Sequence, residues 1–111
     1  MKQLRFHLLG LAHLATNKTN SACAYTQKVV KLAKMLKSYG HTVYFYGVEG
    51  SKVNCDEMVQ VSTEEVLLRT YGNYDKSREF FKHDPRDLAH QTFNRNAIEA
   101  ILERKQDQDI L

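Results

Sequence analysis

Between Leu4 and Gly47 the chain passes from a short apolar run through a polar stretch into a segment of helical period, meets a glycine, and enters a β-branched and aromatic run. Strand, helix and strand in that order make a βαβ crossover, and no other feature of the sequence narrows the fold as far. The two strands must lie parallel, the connection is right-handed, and the helix has to cover one face of the sheet. "LRFHLL" at 4–9 has the length and bulk of a buried strand, and Gly10 ends it where a chain turns out of a sheet. After an irregular stretch containing "TNKTN", Ser21 is suited to cap a helix over 22–39. Tyr25, Val29, Leu32 and Leu36 fall on one face of that helix, and Lys28, Lys31, Lys34 and Lys37 fall away from it as a solvated stripe. Gly40 supplies a left-handed stop, and "HTVYFYG" follows as the second strand, with Tyr44, Phe45 and Tyr46 expected in the core.

Downstream, 58–61 reads as a short third strand, and Ser62 with Glu65 fits a capping box for a helix to about Tyr71. Phe80 and Phe81 suggest a helical turn. Asp84-Pro85, with Asp87 in the first turn, opens a long helix to about Lys105 whose apolar face is Ala89, Phe93, Ala97 and Ile101, with Ile98 and Leu102 beside them. Ile110-Leu111 reads as the start of one more strand, cut short. The expected fold class is therefore α/β: a Rossmann-like, three-layer parallel sheet with flanking helices and a truncated last strand, in one domain over 1–111.

Composition is needed here only to exclude classes. Sixteen Lys and Arg against thirteen Asp and Glu give +3, with no arginine-rich run, which is too small a surplus for a nucleic-acid footprint. No apolar stretch approaches the roughly 20 residues of a membrane span, so a cytoplasmic protein is expected. Cys23 and Cys55 have no CxxC spacing, so neither a zinc site nor a redox pair is expected.

In an open parallel sheet, ligands bind beyond the carboxyl ends of the strands. The loop 10–21 lies at that edge, and Gly10, Thr16, Asn17 and Ser21 supply amides and hydroxyls to an anion near a helix start. Neither GxGxxG nor GxxxxGK[ST] is present, so the loop is no complete nucleotide fingerprint. His13, just past the first strand, is a candidate base toward a hydroxyl. Asp84, Asp87 and His90 form a second cluster, in which Asp87 and His90 can meet across one turn. No metal is expected there, because both aspartates already have a role at a helix start.

Three segments, "LAKMLKSYGHTVYFYG", "HLLGLAHLATNKTNSACAYTQKV" and "DLAHQTFNRNAIEAILERKQDQDIL", together resemble the amino-terminal domain of GT-B glycosyltransferases, in particular the retaining enzymes encoded by viruses and phages. The resemblance implies half of a two-domain enzyme that moves a sugar from a nucleotide-sugar donor to an acceptor without a bound metal or other cofactor. It implies that Gly10 to Thr16 face the interdomain cleft near the donor phosphates and that Asp84, Asp87 and His90 lie on the acceptor side. The groups that stabilise the leaving nucleotide belong to the second domain of such enzymes, so the chain alone is expected to be inactive. It also implies host cytoplasm, if the source is viral. An open sheet edge predicts a homo-oligomer, either a dimer or a swapped assembly. Two other readings stand beside this one: a stand-alone nucleotide or nucleotide-sugar binder, and an interaction module that uses the lysine stripe.

Overall fold

A computed structural model describes residues 3–12, 15–16, 24–72, 86–107 and 109–111. The elements are β1 (Arg5–Leu9), α1 (Ala24–Ser38), β2 (Thr42–Val48), β3 (Glu57–Ser62), α2 (Glu64–Tyr71) and α3 (Leu88–Arg104). The strands form one parallel sheet in the order β1-β2-β3, with Arg5 opposite Thr42 and Tyr44 opposite Glu57. On the other edge of β1, Ile110 makes a parallel bridge to Phe6: its N–H donates to Arg5 O at 2.9 Å and its carbonyl accepts from His7 N at 2.8 Å. The chain thus steps outward from β1 to β3 and returns to the far side of β1. This is an α/β sheet with flanking helices, compatible with a Rossmann-like half-fold.

β2 is the central strand. Val43, Phe45, Tyr46 and Val48 are all buried, because helices cover both faces and a strand in that position has no solvent side to alternate toward. Val43 packs with Ala33 and Leu36 of α1, while Tyr46 and Val48 pack with Leu67 of α2 and Ala89, Phe93 and Ala97 of α3. α1 ends at Gly40, whose φ is +83°. Gly40 N donates to Lys37 O and His41 N to Leu36 O, the paired bonds of a Schellman stop that only a residue free of a Cβ makes without strain.

Several expected faces and caps are displaced. α1 buries Thr26, Val29, Ala33 and Leu36 and leaves Tyr25 and Leu32 exposed, so its inner face is rotated toward the smaller residues that let it approach β2 closely. α2 is capped by Thr63 and not Ser62: Thr63 Oγ1 accepts from Val66 N at 3.3 Å. Ser62 is still in β3, and Glu65 pairs with Arg69 at 2.6 Å in place of closing a capping box. α3 buries Ala89, Phe93 and Ala97, but Ile98 and Leu102 are exposed, since they lie about 100° and about 140° around the helix from Ala97, the nearest residue of the buried row. The expected cap at Ser21, the turn at Phe80 and Phe81, and Asp84-Pro85 lie outside the described residues.

The segment after α3 is fastened to β1 by a buried polar network. Asp109, with its side chain only 2% exposed, accepts from His7 Nε2 at 2.7 Å, Arg5 Nε at 3.1 Å and Gln106 N at 2.9 Å. The opposite ring nitrogen of His7 is 2.8 Å from the Tyr46 hydroxyl. With Nε2–H committed to the carboxylate, Nδ1 accepts from that hydroxyl. Burial pushes the Tyr46 phenol up to about 12, which keeps its proton in place as the donor. Arg5 also donates to Arg104 O at 2.9 Å and lies over the Tyr44 ring, on which His7 stacks.

Burial alone would raise the Asp109 carboxyl, but the Gln106 amide, His7 and Arg5 outweigh it and hold it at about 2. A depressed carboxyl stabilises the fold fully above its unfolded value near 4, and that contribution is lost as the pH falls from there through about 2. Asp109→Asn is therefore expected to be less stable than the unchanged chain at pH 6 in urea melts. The difference should shrink on acidification toward pH 2.5; a gap independent of pH would show that the carboxylate is not the source.

Candidate functional site at the carboxyl edge of the sheet

All three strands end at one edge, so the turns after β1, β2 and β3 gather there. α3 begins at this edge and runs back to the opposite one: Ala89 shares a cluster with Ala12 and Ala15 of the β1 loop, whereas Arg104 reaches Glu57 at the start of β3 at 3.0 Å. The strand order reverses at β1, with β2 on one side and Ile110 on the other, which is where such sheets open a crevice for ligands.

The β1 and β2 turns are stitched together. Gly10 N donates to Tyr46 O at 2.8 Å. A Cβ on Gly10 would stand 2.8 Å from Thr16 Oγ1 and 2.9 Å from Phe45 Cζ; one on Gly47 would stand 2.8 Å from Phe45 Cε1 and from Ser51 Oγ. The two glycines thus make room for one edge of the Phe45 ring and for the hydroxyls beside it. Thr16 N donates to Ser51 Oγ at 2.9 Å, and Lys52 N donates to Thr16 O at 2.8 Å. Thr16 itself is 1% exposed, and its Oγ1 has no hydrogen-bond partner among the described residues. A buried hydroxyl without a partner is costly; Thr26 and Ser62 carry the same feature, and of the three only Thr16 lies in the β1 turn beside Gly10.

On the α2–α3 side the expected Asp87–His90 contact is present. Asp87 caps α3, accepting from His90 N at 2.9 Å, and the same oxygen is 2.9 Å from His90 Nδ1. Its other oxygen accepts from the Tyr71 hydroxyl at 2.6 Å. Burial opposes ionisation of Asp87, but Tyr71 and His90 prevail and lower its carboxyl below the usual range. A carboxylate that fixes one imidazole nitrogen is the arrangement that orients a histidine toward a hydroxyl. Tyr71 belongs to the same packed cluster as Ala12, Ala15 and Ala89, which ties this group to the β1 loop.

Of the residues expected from sequence, the structure places Gly10 and Thr16 together and Asp87 and His90 together. His13, Asn17, Ser21 and Asp84 lie outside the described residues. Ser51, Lys52 and Tyr71 were missed. Ser51 and Lys52 follow from the rule that every turn after a parallel strand faces one edge; Tyr71, at the end of α2, has no such signal. Among the described residues no group of three metal-ligating side chains is assembled, and no helix is long and apolar enough to cross a membrane.

Comparisons with protein-family models, with curated proteins and with solved structures find no match to this chain.

Two substitutions measure what holds it. Gly10→Val should lower stability by about 1–3 kcal/mol through overpacking against Phe45 and Thr16, whether or not ligand is present. Asp87→Ala should cost about 1–2 kcal/mol as a lost cap, read in denaturant melts; a neutral outcome would remove the Tyr71–Asp87–His90 group from any structural role.

Proposed function

We propose that this chain is the acceptor-side, amino-terminal half of a glycosyltransferase of the GT-B kind. In this reading the β1 loop lies against the phosphates of a nucleotide-sugar donor, and a second domain supplies most of the donor site. The observation that carries the reading is the buried, unpartnered Thr16 hydroxyl behind Gly10, at the edge where the strand order reverses. A backbone this tightly packed around small residues permits close approach of a phosphate, and the Thr16 Oγ1 proton is the donor left over for it. The Asp87–His90 pair has the role of receiving the acceptor: Asp87 fixes the ring, and the imidazole accepts a hydroxyl proton as it is transferred. No metal enters this scheme.

Gly10→Val cannot test the loop, since it disturbs packing before any ligand arrives. Thr16→Val can, because it removes a hydroxyl that has no partner and keeps the shape of the side chain. Amide NMR shifts are to be followed while UDP, GDP and their sugar conjugates are added to both proteins. Millimolar, saturable shifts centred on Gly10, Thr16 and Ser51 that vanish in Thr16→Val are expected for a half-site. Binding tighter than about 100 μM would favour a stand-alone nucleotide binder in its place. The absence of any shift at those amides would overturn the assignment of the loop.

A further inference from the structure

α1 and α3 lie on opposite faces of the sheet, and each turns a second apolar row outward. On α1 the row is Tyr25, Leu32 and Met35, continued by Tyr39 in the turn that follows, between 38 and 61% exposed, with Lys28 completing it. On α3 it is Leu88, Ile98 and Leu102, between 47 and 70% exposed, with Gln91 and Arg95 completing it. Positions 25, 28, 32, 35 and 39 and positions 88, 91, 95, 98 and 102 share the same steps of three, four, three and four. That is the period of a helix-pairing seam, and both rows extend for ~21 Å. Their flanks differ in sign: exposed Lys31 and Lys34 border the first, exposed Glu99 and Glu103 the second.

We infer that α1 of one copy of this chain docks on α3 of the next, the two helices running parallel, so that the protein associates head to tail. Parallel alignment sets Tyr25 on Leu88, Met35 on Ile98 and Tyr39 on Leu102, and pairs the two polar positions, Lys28 and Gln91. Leu32 meets the aliphatic stem of Arg95, whose head reaches the rim. In heptad terms, Lys31 precedes the Leu32 seam position and Glu99 follows the Ile98 one, the places that face each other across a parallel pair. An antiparallel alignment brings Ile98 onto Lys28 and separates Lys31 from Glu99. A groove of about 350 Å³ lies at the Tyr25 end of the α1 row, walled by Leu8, Leu9, Val29, Leu32 and Leu111, and it receives Leu88 of the docking copy. The two surfaces are different patches on opposite faces, so the contact is heterologous and extends rather than closing as a symmetric dimer.

Sedimentation velocity from about 10 μM to 1 mM tests this. The weight-average mass of the unchanged chain should rise with concentration. Lys31→Glu and Glu99→Lys should each lower the association constant roughly two- to tenfold, and the Lys31→Glu/Glu99→Lys double variant should recover it. Leu102→Asp should abolish association while leaving the thermal transition measured at low concentration in place, because Leu102 is 70% exposed in the single chain. A monomer mass across the whole range, association that survives Leu102→Asp, or a double variant as weak as the singles would each overturn the inference.

Discussion

Asp109 ties the chain that returns after α3 to the sheet. Its bonds to His7, Arg5 and the Gln106 amide, together with the backbone bonds of Ile110 to Arg5 and His7, hold that segment against the outer edge of β1. A carboxylate taken out of water is expensive, and it is tolerated here because each oxygen meets a cationic or N–H donor and the imidazole passes the chain of bonds on to the Tyr46 hydroxyl. The same carboxylate sets the register at which Ile110 meets Phe6. β2 occupies the inner side of β1, so the returning chain meets the outer one, and the buried carboxylate fastens it there.

The reversal of strand order at β1 gives the carboxyl edge its character. β1 pairs with β2 along its length and carries on its other side the single bridge from Phe6 to Ile110, and its loop leaves at the carboxyl end of the sheet. Phe45, wholly buried in the central strand, pushes its ring toward this edge, and only glycine at 10 and 47 leaves space for it. The result is a loop whose backbone is fixed by Tyr46, Ser51 and Lys52 while the Thr16 hydroxyl stays unspent. Under the proposed function, a backbone tied down in this way would let a ligand bind with little further ordering. The Tyr71–Asp87–His90 group achieves its rigidity differently, by using the free amides of a helix start to hold the carboxylate that holds the ring.

Much of this was legible in the sequence because local chemistry and tertiary structure agree. Gly40 stops α1 by a left-handed turn that its sequence position announces, and "TVYFYGV" is continuous in bulk because its strand is central. The Asp87–His90 contact is a matter of helical spacing alone. Legibility fails where two adjacent residues offer the same chemistry, as Ser62 and Thr63 do, and the strand, by continuing one residue further, decides which of them caps the helix. It fails again for Asp109, which sits among polar residues in "QDQDIL" and looks like a solvated tail. Its partners are more than a hundred positions away, and no local pattern encodes such a pairing.

The faces of the helices were misjudged for a related reason. Periodicity ranks positions by hydrophobicity, but close packing on a sheet ranks them by size as well. α1 turns Ala33 and Thr26 inward and α3 turns Ala89 and Ala97 inward, so both helices lie close to the strands, and the bulkier Leu32, Met35, Ile98 and Leu102 are displaced to the outside. This reverses the usual ordering, in which large apolar side chains are the first to be buried. Leu36, Leu67 and Phe93 are still buried, so the ordering fails only along one outer row each of α1 and α3. The inferred head-to-tail contact would return those displaced side chains to apolar surroundings, one row covering the other.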